Sequence, residues 1–186
     1  MSSKKRPYLL TFDAIGELGI EVRFEIDADD IGARANSSNI GMEIRFPKDV
    51  AVNIKAVKKA PKTFELVGHY DCQIVTNCSR CLKDVPLDLS RDFTELVKLS
   101  SGKVEEQDDI ALFFVDKPEI NCSEIVSEIA ILSIPYSIVC SEDCKGLCPE
   151  CGCNLNIDGH KTGCELQSST SRTAFGDKLF AAAKKT

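Results

Sequence analysis

Cys140-Ser-Glu-Asp-Cys144-Lys-Gly-Leu-Cys148-Pro-Glu-Cys151-Gly-Cys153-Asn-Leu-Asn156 is the stretch that sets the reading of this chain. It is echoed upstream by Cys78-Ser-Arg-Cys81 and downstream by Cys164. A Cys-x-x-Cys turn aims two sulfurs at one point, and two such pairs complete a tetrahedral thiolate shell around zinc. The second pair carries its own turn chemistry. Pro149 presets the first turn position, and Gly152 lets the backbone bend so that its amides approach a thiolate. The segment 140–164 is too polar to pack a core of its own, so a metal is expected to organise it.

The ligand set is open at this level. Cys148 and Cys151 are the first pair, with Cys140, Cys144 and Cys164 competing to complete their shell. Cys78 and Cys81 offer a second route, in which a hairpin tip is tied to the tail. Two metals are also compatible with so many thiols. Cys153 and His160 are then extra donors, although Gly159 and Lys161 around His160 suggest a solvated loop histidine. An all-cysteine shell is closed and structural, whereas a catalytic zinc keeps an open position.

Composition narrows the function. The chain has 186 residues, ten cysteines and a formal net charge of −6. No apolar run approaches the roughly 18 residues of a membrane span, and residues 1–10 lack the apolar stretch of a secretory leader. A cytoplasmic protein without membrane association is expected, with its cysteines reduced and available as ligands. The negative balance argues against binding nucleic acid by bulk charge. The charge is uneven, however. Lys55, Lys58, Lys59 and Lys62 form a basic stretch, and acids gather at Glu105, Glu106, Asp108 and Asp109. The plain reading of each cluster is solvated surface; the sharper one makes the four lysines candidate RNA contacts.

Upstream of the cysteines, period-two alternation dominates. Ile20, Val22, Phe24 and Ile26 alternate with Glu21, Arg23 and Glu25, and Val50, Val52, Ile54 and Ala56 continue the pattern. A strand is likewise expected over Ile40, Met42, Ile44 and Phe46. Phe64, Leu66, Tyr70 and Ile74 predict one long strand ending at the first Cys pair, and Val85, Leu87, Leu89 and Phe93 the return. Leu112–Val115 predicts a short buried strand. Asn121, with Glu124 three residues on, marks a helix start as in a capping box, and Pro135 its stop. Ile125, Val126, Ile129, Ala130 and Leu132 are its apolar stripe.

The fold class is α+β: a curved, mostly antiparallel sheet, one main packed helix and a Cys-rich zinc-binding appendage. The expected organisation is 1–136 for sheet and helix, 137–166 for the metal-binding segment, and 167–186 for a linker and short terminal helix around Phe175 and Leu179. Cys72 and Cys122 read as core thiols.

Enzymatic readings are poorly supported. Neither Cys pair opens a helix in a βαβ pattern, as a redox-active pair does. The spacing Cys144-x-x-x-Cys148-x-x-Cys151 is only loosely like an iron–sulfur motif. No phosphate-binding glycine loop or nucleophilic triad can be assembled around His69 and His160. A thiol redox protein and a metal-dependent interaction module remain the competing classes.

The chain resembles the YceD-like family, the large ribosomal RNA subunit accumulation proteins of bacteria and plastids. The resemblance rests on Cys78-x-x-Cys81-Leu82, on the capped helix Asn121 to Leu132 with Pro135, and on the block from Cys140 to Asn156 with its Cys-Lys-Gly-Leu-Cys-Pro core. It implies a non-catalytic factor promoting 23S rRNA accumulation. The implied partner is a large-subunit precursor, met through 23S rRNA or through a ribosomal or assembly protein. Some members keep the first Cys pair and lack the later cluster, which implies separable sites. This chain departs from the family in three ways. Many members end the cluster with Cys-x-Cys, but here Glu165 and Leu166 follow Cys164. Cys153 occupies a position that is usually not Cys, and Ile157 to Gly163 is longer than usual.

Overall fold

The computed structural model describes residues 6–37, 43–99, 112–157 and 159–164. The helix expected around Phe175 and Leu179, the acidic loop near Glu105 and part of the Ile40–Phe46 strand lie outside the described residues. The chain divides into two compact units, one of residues 1–76 and 85–136, the other of residues 77–84 and 137–186.

The first unit is built on a five-stranded open sheet. Its strands are β2 (Ile20–Ile26), β4 (Val50–Ala60), β5 (Thr63–Asp71), β8 (Arg91–Leu99) and β9 (Leu112–Val115), in the order β2-β4-β5-β8-β9. Neighbours are antiparallel except β8 and β9, which run parallel. The alternation read in the sequence sets the register. Val22 lies opposite Ile54, and Ala56 opposite Leu66, so Val22, Ile54, Ala56 and Leu66 are all buried. Val50, Val52, Ile54 and Ala56 of β4 therefore lose their apolar surface to the core, at about 25 cal/mol for each Å² removed from water.

Two aromatic contacts fix the layer above this face. Tyr8 stacks on Phe24 with ring centroids 4.7 Å apart, and Phe12 meets Phe64 at 4.3 Å. Between them runs β1 (Leu9–Thr11), paired with β10 (Glu119–Asn121). The helix α2 (Cys122–Leu132) follows directly. Asn121 caps it as expected: its Oδ1 accepts from the Glu124 amide at 3.1 Å, and its Nδ2 donates to the Glu124 carboxylate at 3.0 Å. Cys72 and Cys122 are both buried, and burial pushes their thiols up to about 11 and about 12.

Several expectations need correction. Among the described residues there are two α-helices where one main helix was expected. α1 (Ala28–Ser37) starts at Asp27, whose carboxylate accepts from the amides of Asp29 and Asp30 at 3.0 and 3.3 Å. Its buried side is only Ile31 and Ala35, too short a stripe to stand out by periodicity. The strand expected through Ile74 is two strands. β5 ends at Asp71, and β6 (Gln73–Asn77) joins a separate sheet ordered β3-β6-β7, with β3 at Ile44–Arg45 and β7 at Asp84–Asp88. Leu132, read as part of the α2 stripe, is 84% exposed. β9 sits at a sheet edge, where Phe114 is exposed rather than buried.

Candidate metal centres

All the metal-type cysteines fall in the second unit, which takes the β6–β7 turn as its first piece. The sequence Cys78-Ser-Arg-Cys81-Leu82-Lys83 folds into a closed turn. The Cys78 amide donates to the Lys83 carbonyl at 2.8 Å, and the Leu82 amide to the Cys78 carbonyl at 3.0 Å. The Arg80 amide points at the Cys78 sulfur, 3.4 Å away.

Cys148-Pro-Glu-Cys151-Gly152-Cys153 repeats both backbone hydrogen bonds of that turn. The Cys148 amide donates to the Cys153 carbonyl at 2.8 Å, and the Gly152 amide to the Cys148 carbonyl at 2.9 Å. The Cys151 amide lies 3.5 Å from the Cys148 sulfur. Aiming amides at a sulfur favours its thiolate form, as a metal ligand requires.

Each turn meets a second pair spaced by three residues. Cys140 and Cys144 face the first turn; His160 and Cys164 face the second. These pairs are also alike, because the Cys144 amide donates to the Ser141 carbonyl at 3.1 Å and the Cys164 amide to the Lys161 carbonyl at 3.0 Å. The outcome is two groups, Cys78/Cys81/Cys140/Cys144 and Cys148/Cys151/His160/Cys164. Within each, the ligand-type atoms all lie within 4.8 Å of one another.

The separations carry chemical information. Metal–sulfur bonds of about 2.3 Å in a tetrahedron place sulfurs about 3.8 Å apart, and a sulfur and an imidazole nitrogen about 3.5 Å apart. Cys78 and Cys144 sulfurs are 3.8 Å apart, Cys81 and Cys140 3.6 Å, and Cys148 and Cys164 3.8 Å. The Cys164 sulfur is 3.4 Å from His160 Nδ1. The residues of both groups therefore fit a tetrahedral ion of the zinc class. His160, read from sequence as a solvated loop residue, stands in the second group, and Cys153 stands outside both. The missed signal was a repetition: His160-x-x-x-Cys164 has the spacing of Cys140-x-x-x-Cys144.

The surrounding residues explain the Lys-Gly-Leu and Asn-Leu-Asn segments. Leu147 donates its amide to the Arg80 carbonyl at 3.0 Å, which brings residue 146 against the first turn. Gly146 has φ +77, and a Cβ there would lie 3.1 Å from the Arg80 carbonyl oxygen, so glycine suits the position twice over. The Arg80 guanidinium donates to the carbonyls of Glu142 and Cys144 at 3.2 and 3.1 Å. Asn156 accepts from the Lys145 amide at 2.8 Å and reaches the Cys144 sulfur with its Nδ2 at 3.5 Å. Ser79 donates its amide to the Ile138 carbonyl at 2.7 Å and accepts from the Ile138 amide on its hydroxyl at 3.1 Å.

Electrostatics differ from thiol to thiol. Burial raises Cys78, but the amides of Cys81, Arg80 and Cys140 outweigh it and bring the thiol down to about 6. The Lys161 and Cys153 amides bring Cys151 down to about 5. Cys140 goes the other way, up to about 12, because Cys144 and Cys81 crowd its sulfur and oppose another negative charge. The first group thus favours some of its thiolates with its own backbone amides and disfavours the full set in the absence of a counter-charge.

The candidate RNA lysines are distributed over β4 and the β4–β5 turn. Lys55 and Lys59 lie on the outer face of β4, and Lys59 pairs with Glu65 at 2.8 Å. Lys58 alternates onto the other face near the end of the strand, and Lys62 sits in the β4–β5 turn with φ 63. On the same outer face, His69 Nδ1 lies 2.7 Å from Asp92, a pair that sequence reading did not anticipate.

A family profile described as "Large ribosomal RNA subunit accumulation protein YceD" matches residues 66–181, well over half the chain and the whole of both cysteine groups. The chain belongs to the YceD family. Among curated relatives of this YceD-family chain, an uncharacterized protein of Mycobacterium tuberculosis is 33% identical over 99 residues, covering 52% of this chain and 47% of the relative. The chloroplastic large ribosomal RNA subunit accumulation protein YCED homolog 1 of Zea mays is 27% identical over 161 residues, covering 69% of this chain and 53% of the relative. Its Arabidopsis thaliana counterpart is 26% identical over 181 residues, covering 80% and 54%. The chain spans about half the length of the curated relatives it matches. No solved structure matches it. Among the described residues, no helix is long and apolar enough to cross a membrane.

Proposed function

We propose that this chain is a non-catalytic cytoplasmic factor that promotes accumulation of 23S rRNA during large-subunit biogenesis, with zinc as a structural ion. The observation that carries the ribosomal part is the family match over residues 66–181, together with the printed names of the two chloroplastic relatives. The tetrahedral spacing of Cys78, Cys81, Cys140 and Cys144 supports the zinc part. A four-thiolate shell has no open position for substrate, so its contribution is to fix the loop 137–147 against the turn 78–83.

The partner is a large-subunit precursor, reached through 23S rRNA or through a ribosomal or assembly protein. Lys55, Lys58, Lys59 and Lys62 are the proposed RNA contacts. Charge reversal at the exposed Lys55 and Lys58 separates the routes: RNA binding falls and its salt dependence flattens if they touch phosphates, and neither changes if a protein makes the contact.

Depleting the protein in its native cell tests the function. A fall in 23S relative to 16S rRNA is the expected result. An unchanged ratio with normal subunit profiles sinks the ribosomal reading and leaves a metal-dependent interaction module.

A further inference from the structure

We propose that Cys148, Cys151, His160 and Cys164 bind a second metal ion of their own, a tetrahedral divalent ion of the zinc class, independently of the four-cysteine group. The inference shares with the zinc reading above only the class of ion.

Three observations carry it. The second group repeats the first in plan, a closed Cys-x-x-Cys turn facing a pair spaced by three residues, with matching backbone hydrogen bonds in both halves. Its sulfur–sulfur and sulfur–nitrogen separations of 3.8 and 3.4 Å are edges of a tetrahedron sized for zinc. Its donors also come from one local stretch. Cys148 and Cys164 are 16 residues apart, whereas Cys78 and Cys144 are 66 apart. The second shell therefore closes without the sheet that delivers the first pair of cysteines.

The donor set fixes the chemistry. Three thiolates and an imidazole select zinc-class ions and discriminate against calcium and magnesium, which take oxygen donors. Each thiol that ligates releases its proton to solvent. The Cys164 thiol rests against Glu150 Oε2 at 2.9 Å, and that hydrogen bond is exchanged for the metal bond when the proton leaves. Three thiolates around a divalent ion leave the second centre with one net negative charge, against two for the four-cysteine centre.

The test uses the full chain, with metal counted by native mass spectrometry and Co(II) substituted as the optical probe. The wild type should hold two ions. Cys78→Ser with Cys81→Ser should keep one, with a cobalt spectrum of mixed sulfur and nitrogen ligation. Adding His160→Cys to that background should keep the ion and convert the spectrum to the four-thiolate type, while His160→Ala should weaken binding by tenfold or more. The cysteine replacement preserves a donor, so it answers the question even if the alanine variant fails to fold. One ion in the wild type, or a residual spectrum indifferent to His160→Cys, overturns the proposal. A wild type that binds one ion with a four-thiolate spectrum keeps the zinc reading of the first group while refuting the second. A wild type that binds no ion refutes both.

Discussion

Leu82 occupies in one cysteine turn the place that Gly152 occupies in the other. Both stand one residue after the second cysteine, both donate their amide to the carbonyl of the first, and both have left-handed backbones, with φ 60 and 69. The conformation costs a side-chain-bearing residue about 1–2 kcal/mol and glycine almost nothing. Leu82 is 62% exposed and recovers little of this by packing.

Leu82→Gly should therefore stabilise the protein. Relief of the left-handed strain exceeds the extra chain entropy of glycine by about 0.5–1 kcal/mol. Urea unfolding monitored on the metal-loaded chain measures it, and a lower midpoint would contradict the turn assignment. The mirror experiment is Gly152→Ala. No atom lies within 4 Å of the added Cβ, so the effect is one of backbone alone. It should cost about 1 kcal/mol, seen as roughly fivefold weaker metal binding.

Gly68 answers to space instead. A Cβ there would fall 2.5 Å from the Asn53 carbonyl oxygen and 2.8 Å from the Phe93 ring. Gly68→Ala should destabilise the first unit by about 1–3 kcal/mol. Thermal unfolding reads this directly, and a Tm equal to wild type would show that the β4–β5–β8 packing is looser than described.

At α2, Asn121→Ala removes the side-chain acceptor for the Glu124 amide. The expected loss is about 1 kcal/mol. Asn121→Asp should restore most of it, because an aspartate accepts the same hydrogen bond.

His69 gives a pH dependence with a definite sign. Its hydrogen bond to Asp92, helped by the charges of Asp92 and Asp71, raises its pKa above the ordinary 6.5. The folded state thus holds the proton more tightly than the unfolded chain. The resulting stability is fully present below about pH 6.5 and is lost as pH rises through the folded value. An NMR titration of the imidazole should show a raised midpoint in the wild type and a lower one in Asp92→Asn. Equal midpoints would dissolve the pair.

Metal removal should act on one unit. Structural zinc supplies on the order of 10 kcal/mol to a unit of this kind. Chelation should therefore open the amides of Arg80, Cys140 and Leu147 to hydrogen exchange while those of β4 and β5 stay protected. Cys148→Ser with Cys151→Ser should lose one of the two ions when metal is counted by native mass spectrometry, and full metal content would refute their assignment as ligands.

The parts of the fold that were legible in sequence are those with a strict period or a cap. β2 and β4 alternate without interruption, and the Asn121–Glu124 pair announces α2. α1 escaped because its buried side is two residues, although Asp27 ahead of Asp29 and Asp30 was a readable start. The β5–β6 break escaped because Cys72 continues an apolar pattern while the hydrogen bonding passes from one sheet to another. At the candidate centres, the Cys-x-x-Cys pairs could be read directly, but their partners could not. Spacing alone does not say that Cys78 closes on Cys144 across 66 residues, and His160 was judged by its flanking glycine and lysine rather than by its distance to Cys164.

The long reach of the first group sets an order of events as the chain is made. Cys81 and Cys140 are separated by 59 residues. At roughly 5–20 residues per second, the first turn waits about 3–12 s for its partners to be synthesised. During that interval its two sulfurs are exposed to any oxidant or stray copper in the surroundings. The second group is complete within a single short burst of synthesis and needs no such wait.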